Sequence, residues 1–343
     1  MHTRSPLSRA RAGLAAVVVS AVAVVGLAGC SGNAQPAATD EAMAPLAEGS
    51  FQLGWFPNVE SMAPIVAAVD GYFAEEGVEV TILPGGPEVT IDAQIVSGNA
   101  LMGNMSSEGL ANSIAAGAPL VAVGATYQTS SSAIVTLADS GITEPKDLEG
   151  KRFGMSQTDA RVYTPFFELT GVDETKVDEV QTGSDPAALV SGEVDAMSGT
   201  LPNQPVAIEA QGLKTNVIRL ADYGYNRWSN LLVVHKDSLE DPDKRAVIEG
   251  MLAAVTRGLE TAVADPAAAA QIVYDEYGEQ LGLDLDQQKA AAQIWAELAT
   301  DGTQAQGVMR VTEEGVASQQ AFFDTIGLDI DASEMFDLSV QGQ

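Results

Sequence analysis

Residues 51–80 read FQLGWFPNVESMAPIVAAVDGYFAEEGVEV, and this stretch restricts the possible folds more than any other. A short strand-like run gives way to a polar loop, an apolar helix face and a second alternating run from Val78. That order is strand, loop, helix, strand, the βαβ unit of an α/β domain. Met62, Ile65, Val66, Val69, Tyr72 and Phe73 recur at helical spacing and predict one continuous helix. Ser61 is its expected N-cap, Pro64 falls in its first turn and Gly77 is its expected stop. The loop 55–61 then places Trp55, Asn58 and Glu60 at the carboxyl end of the first strand, where open α/β sheets bind ligands.

The same rhythm continues. Strands are predicted over 78–83, 100–104, 119–125 and 133–137, with helices over 88–97 and 110–116. The run 119–125 is almost wholly apolar, as a strand covered on both faces should be. A second copy begins at Lys146, with strands over 152–155, 177–180 and 194–197. Residues 95–102 (IVSGNALM) match residues 189–197 (LVSGEVDAM) with one insertion, so the chain reads as a two-lobed repeat. Polar loops stand at strand ends in each half and contain Ser106 and Ser107, Gln157, and Asn203. Residues 126–132 and 221–230, with Tyr127 and Trp228, are the expected connections between lobes. From Asp241 onward the pattern turns helical: Asp241-Pro242 and Asp265-Pro266 each place an N-cap ahead of a Pro at N1, which predicts a helical appendix.

The chain's beginning sets the expected compartment. Arg4, Arg9 and Arg11 precede an apolar run over 14–27, the layout of a secretory signal peptide over 1–29. Leu27-Ala28-Gly29 leads to Cys30 and resembles a lipobox, which makes Cys30 the expected lipidation site and the anchor at the outer face of the cell membrane. Cys30 is the only cysteine, so an intrachain disulfide is excluded. Residues 30–49 are rich in Ala, Ser, Pro and acids without periodicity and read as a flexible tether. The expected organisation is lobe 1 from 50–130 and 230–343, and lobe 2 from 131–229.

Charge narrows the partners. The sequence has 17 Lys and Arg against 47 Asp and Glu, net −30, and loss of the signal peptide removes only arginines. Such a field repels nucleic acid and anionic lipid. The two histidines are His2, in the signal peptide, and His235, at the end of the apolar run 231–235. A His-based metal site or Ser-His-Asp triad is therefore not expected, and no P-loop, GxGxxG or GxSxG stands in its required context. The loops offer aromatic faces and uncharged hydrogen-bonding groups, which suits a small planar or zwitterionic molecule held without chemistry and without a cofactor.

Trp55-x-Pro57-Asn58, Asp70-Gly71-Tyr72-Phe73 and Gly77-Val78-Glu79-Val80 resemble the opening of solute-binding proteins of ABC importers. The resemblance is to the nitrate/sulfonate/taurine and thiamine-pyrimidine-precursor group. Gly117-Ala118-Pro119-Leu120, Asp147-Leu148-x-Gly150-Lys151-x-x-Gly154 and Ser191-Gly192-Glu193-Val194-Asp195-Ala196 extend it to about Asp237. It implies an α/β, two-lobed periplasmic-binding-protein type II fold with a ligand cleft between the lobes, closing by hinge motion. It also implies a monomeric, non-enzymatic component with a membrane permease and a cytoplasmic ATPase as partners. In that frame Trp55 stacks on the ligand, Asn58 and Glu60 bind its edge, and Ser106 and Ser107 donate from the same lobe. Gln157, Tyr163 and Asn203 close from the second lobe, and Tyr127 and Trp228 lie at the crossovers. Pyrimidine-binding relatives usually carry a His where this chain has Glu60-Ser61, and Asn-Glu-Pro where it has Asn203-Gln204-Pro205. Glu60 stands where an anion would meet the first helix and favours an N–H-bearing heterocycle, a thiamine pyrimidine precursor or similar. The alternatives are a sulfonate, taurine or nitrate, a riboflavin-type vitamin and, more distantly, an extracytoplasmic enzyme or a lipoprotein sensor.

Overall fold

The computed structural model describes residues 46–157, 159–301 and 307–341. The expected signal peptide, Cys30 and most of the expected tether lie outside these residues. Two five-stranded sheets organise the chain. The first holds β1 (Ala47–Gln52), β2 (Val78–Leu83), β3 (Met102–Met105), β4 (Leu120–Tyr127) and the late-returning β10 (Asn230–His235), in the order β2-β1-β3-β10-β4. The second holds β5 (Ser132–Leu137), β6 (Arg152–Met155), β7 (Asp178–Gln181), β8 (Ala196–Thr200) and β9 (Thr215–Arg219), in the order β7-β6-β8-β5-β9.

The two orders are equivalent. In each sheet the first three strands pair in parallel, and the strand that has just crossed from the other lobe pairs antiparallel. The amino ends of β5 and β10 therefore stand beside the carboxyl ends of the parallel strands. Both sheets present all their loop-bearing ends at the edge where the crossovers run, which is the cleft. The short internal repeat maps onto this symmetry: residues 95–102 lead from α3 (Ile91–Val96) into β3, and residues 189–197 lead from α6 (Ala187–Val190) into β8. Both strands are third in their sheets.

The strand β10 explains how the helical appendix is held. Leu232 and Val234 point into one apolar cluster with Met251, Val255 and Leu259. Leu231 and Val233 point into another with Phe322 and Phe323. The period-2 alternation thus places α9 (Pro242–Ala264) and α12 (Glu313–Thr325) on opposite faces of one sheet. Asp241 and Asp265 cap α9 and α10 (Pro266–Leu281) through their side chains, at the two Asp-Pro pairs read from the sequence. Helix α9 lies tightly on α1 (Met62–Val69): a Cβ at Gly258 would sit 2.2 Å from the Ala63 carbonyl oxygen.

Several boundaries differ from expectation. Residues 47–49 belong to β1, not to the tether, because they pair in register with Val78, Glu79 and Val80. The predicted helix over 62–73 is two helices, α1 and α2 (Tyr72–Glu75), broken where Gly71 adopts φ +78°. β9 was not expected; it is a half-exposed edge strand, pairing only with β5, and its TNVIR run carries little apolar signal.

Candidate functional site

The loop after β1 is shaped by two glycines from the loop after β2. Gly85 N donates to the Trp55 carbonyl at 3.0 Å, and a Cβ there would lie 2.3 Å from the Leu53 carbonyl oxygen. Gly86 sits against the Phe56 ring. Trp55 and Phe56 meet edge to face at 5.4 Å and remain 42% and 45% exposed. Two large aromatics presented side by side on a strand-end loop offer stacking surface to whatever enters the cleft.

Asn58 builds the next turn. Its side-chain oxygen accepts from Glu60 N at 2.8 Å and caps the 3-10 turn Val59–Ser61, while Ser61 stands at the N-cap position of α1 as expected but makes no side-chain capping bond. Glu60 is then gripped by a cross-strand pair, since Asn230 opens β10 opposite Tyr127 at the end of β4. Asn230 Nδ2 donates to Glu60 Oε1 at 3.2 Å, and the Tyr127 hydroxyl donates to the Glu60 carbonyl at 3.0 Å. Burial raises the Glu60 pKa above the usual carboxylate value; the Asn230 bond and the Arg227 charge oppose that shift. Gln288 of α11 (Leu285–Thr300) accepts from Val59 N at 3.2 Å and fixes the same turn from behind.

Four residues expected to touch ligand are used within the fold. Ser106 caps α4 (Ser107–Ala115) by accepting from Gly109 N at 3.1 Å. Ser107 is buried; its N donates to the Trp228 carbonyl at 3.0 Å and its Oγ accepts from Trp228 N at 3.1 Å. Trp228 is fully buried, stacked edge to face with Phe336 and pressed against Gly315. Tyr163 of α5 (Ala160–Thr170) donates to the Ala133 carbonyl at 2.7 Å and accepts from Gly199 N at 3.1 Å, with its ring against Phe153. Ser107 Oγ and the Tyr163 hydroxyl are thus occupied by backbone groups, Ser106 Oγ accepts the capping bond, and the Trp228 ring is enclosed, so the fold gives each of these four a structural role. Tyr127 is likewise buried, its ring 4.3 Å from that of Trp295, and it acts on the site through the Glu60 backbone.

Gln157 and Asn203 are exposed at the ends of β6 and β8. Asn203 and Gln204, which opens α7 (Gln204–Glu209), face Gln287 and Gln288 across a gap of about 130 Å³. Helix α11 thus reaches both lobes.

Arg227 and Asn230 escaped the sequence reading as site residues. Arg227 is the one basic residue in 220–229, and Asn230 immediately precedes the apolar strand, so position alone was the available signal. Arg227 Nη2 donates to Ser132 Oγ at 3.2 Å, and Nη1 lies 3.9 Å from Glu108. His235 lies at the opposite end of β10 from Asn230, about 17 Å away at a strand's rise per residue, where it caps α8 (Lys236–Glu240) by accepting from Asp237 N. Among the described residues no cluster of His, Cys, Asp and Glu is placed to hold a metal ion. No described helix is long and apolar enough to cross a membrane.

Comparison with known proteins agrees with this architecture. The chain is 26% identical over 266 residues to the formylaminopyrimidine-binding protein of Halalkalibacterium halodurans, covering 75% of this chain and 78% of that protein. It is 27% identical over 252 residues to the 4-amino-5-hydroxymethyl-2-methylpyrimidine phosphate synthase of Aspergillus parasiticus, covering 66% of this chain and 69% of that one. The solved periplasmic aliphatic sulphonate binding protein SsuA of Escherichia coli superposes with a TM-score of 0.64 at 17% identity, covering 84% of this chain and 97% of that chain, which shows the fold. The "NMT1/THI5 like" family profile matches residues 58–269, more than half the chain, and the protein belongs to that family.

Proposed function

We propose that this protein is the extracytoplasmic solute-binding component of an ABC importer and that its ligand is a small planar nitrogen heterocycle carrying an amino or ring N–H. The observation that carries this reading is Glu60: a carboxylate enclosed at the cleft edge of the first lobe, bonded on one oxygen by Asn230 and carried on the same strand-end loop as the exposed Trp55. A carboxylate there repels an anion and accepts from an N–H, and an exposed indole on the same loop offers a stacking face for a flat ring. The formylaminopyrimidine-binding relative supports the same ligand class. Trp55 and Glu60 form the primary contacts. Asn58 shapes their loop, and Gln157 and Asn203 close on the ligand from the second lobe.

The related synthases raise an enzymatic alternative. Against it, His235 lies at the far end of the sheet, turned to a helix cap. Capture and release by lobe closure, delivery to a permease driven by a cytoplasmic ATPase, and anchoring through lipidated Cys30 complete the reading. A thermal-shift panel of aminopyrimidines, flavins, taurine, alkanesulfonates and nitrate tests it, since a ligand for the folded state raises the melting temperature by mass action. An aminopyrimidine or flavin should give the largest shift, with recovered ligand chemically unchanged. A larger shift with a sulfonate or nitrate, or conversion of the ligand, overturns the reading. Cys30→Ser should release the protein from the membrane fraction; retention in that fraction removes the lipid anchor.

A further inference from the structure

Arg227 stands in the second crossover, three residues before Asn230, and its guanidinium is held unlike most enclosed arginines. A guanidinium carries five N–H donors in a planar fork, and an enclosed one ordinarily forms a bidentate pair with a carboxylate. Here one nitrogen, Nη2, donates to Ser132 Oγ at 3.2 Å. The carboxylate beside it is Glu108, whose Oε2 lies 3.9 Å from Nη1, too far for a hydrogen bond. That oxygen is reached instead by the Tyr225 hydroxyl at 3.4 Å. Nε is enclosed and has no partner among the described residues. A fifth of the side chain remains accessible.

Glu60 shows the complementary condition. Its carboxylate reaches Asn230, three residues along the chain from Arg227, yet Glu60 and Arg227 make no direct ion pair among the described residues. One Glu60 oxygen is held by Asn230. Two opposite charges thus share the same cleft edge, each with hydrogen-bonding capacity left over. Enclosed charges in that state are destabilising until a group with matching donors and acceptors joins them.

We propose that Arg227 is the second specificity-determining pole of the ligand site: the ligand gives an N–H to Glu60 and presents a carbonyl-type acceptor oxygen to Arg227. This rests on the heterocycle reading above and narrows it to amino-heterocycles that carry such an acceptor. A simple anion meets one pole and is repelled by the other, and a purely basic amine meets the reverse. Arg227 also joins the crossover to Ser132 of the second lobe, so a ligand bound at this pole touches a group that spans the hinge.

Calorimetric titration of the mature protein with 4-aminopyrimidine, its 2-oxo derivative and its 5-formylamino derivative tests the inference. The wild type should bind one carbonyl-bearing compound at least about tenfold more tightly than the parent, the scale of one hydrogen bond to a charged donor. Arg227→Gln should abolish that preference while leaving the parent compound within about threefold of wild type, and Arg227→Lys should restore part of it. Equal wild-type affinity for all three overturns the inference and leaves the heterocycle reading standing. An equal loss for all three in Arg227→Gln does the same, since it marks a purely structural role. Failure of the wild type to bind any of them overturns the inference, and it overturns the heterocycle reading as well if flavins also leave the melting temperature unchanged. If Arg227→Gln does not fold, the wild-type ranking of the three ligands decides alone.

Discussion

The two lobes bring equivalent strand ends to the cleft and spend their polar groups differently. In the second lobe, Asp159 accepts from Ser156 N and from Ser198 Oγ. Tyr163 bridges the Ala133 carbonyl and Gly199 N, and Gln204 joins Thr200 N to the Ser184 carbonyl. Among the described residues, Thr182 Oγ1 and Thr200 Oγ1 are exceptions on strand-end loops of this lobe, buried without partners. In the first lobe and its crossover, Glu60 and Arg227 keep hydrogen-bonding capacity and Trp55 keeps an open face. A polar strand-end loop is therefore not by itself a recognition loop. What separates the two is whether the side chains have been consumed in building the loop.

The sharpest way to break this comparison is Glu60→Gln. It should weaken an amino-heterocycle by about 10- to 100-fold, the range of a hydrogen bond to a charged group. The same variant should melt at a higher temperature, because it keeps an oxygen for Asn230 while removing an enclosed charge. Calorimetry and thermal melts read the two effects together; a loss of both affinity and stability would make Glu60 a structural residue. The pH dependence follows with its sign. The folded-state pKa of Glu60 is raised, so its contribution to stability is fully present below the unfolded value of about 4.5 and is lost as pH rises through the folded pKa. Binding runs the other way, since acidification through that raised pKa protonates the acceptor and weakens an N–H ligand. Glu60→Gln should flatten both profiles, and wild-type affinity independent of pH in that range would count against the assignment.

Trp55→Ala should cost about tenfold in affinity with the fold intact, from lost stacking worth about 0.5–1.5 kcal/mol plus lost contact area. Trp228 and Trp295 are buried, so a ligand-induced change in tryptophan fluorescence should come from Trp55 and vanish in Trp55→Phe. A signal that survives in Trp55→Phe would move the ligand elsewhere. On the second lobe the expectation is inverted. Tyr163→Phe should destabilise by about 1–3 kcal/mol, because it leaves the buried Ala133 carbonyl and Gly199 N without their partner. Affinity in that variant should stay within about twofold. The smallest effect is expected at exposed Asn203, where Asn203→Ala should change affinity less than threefold. A large loss there would show that the second lobe contributes more recognition than its hydrogen bonds leave available.

Much of the fold was legible in the sequence because it rests on periodicity. The βαβ rhythm, the apolar β4, the paired Asp-Pro caps and the repeated helix-to-strand segment each map onto an observed element. What escaped was decided by partners distant in sequence. Residues 47–49 form a strand because Val78, Glu79 and Val80 lie beside them, and β9 exists because β5 offers it an edge. The proposed site divides the same way. Trp55, Asn58 and Glu60 could be read from one loop, since a strand-end position and residue type suffice to nominate them. Whether a nominated group is free depends on what folds against it. Ser107 is claimed by Trp228 from 121 residues away and Tyr163 by Ala133 and Gly199, while Asn230 and Arg227 gain their significance only when β10 returns beside β4. Residue identity and spacing determine which elements form and where a site can lie. Tertiary pairing alone decides which charges remain unspent there, because a hydrogen bond used within the fold is no longer available to a ligand.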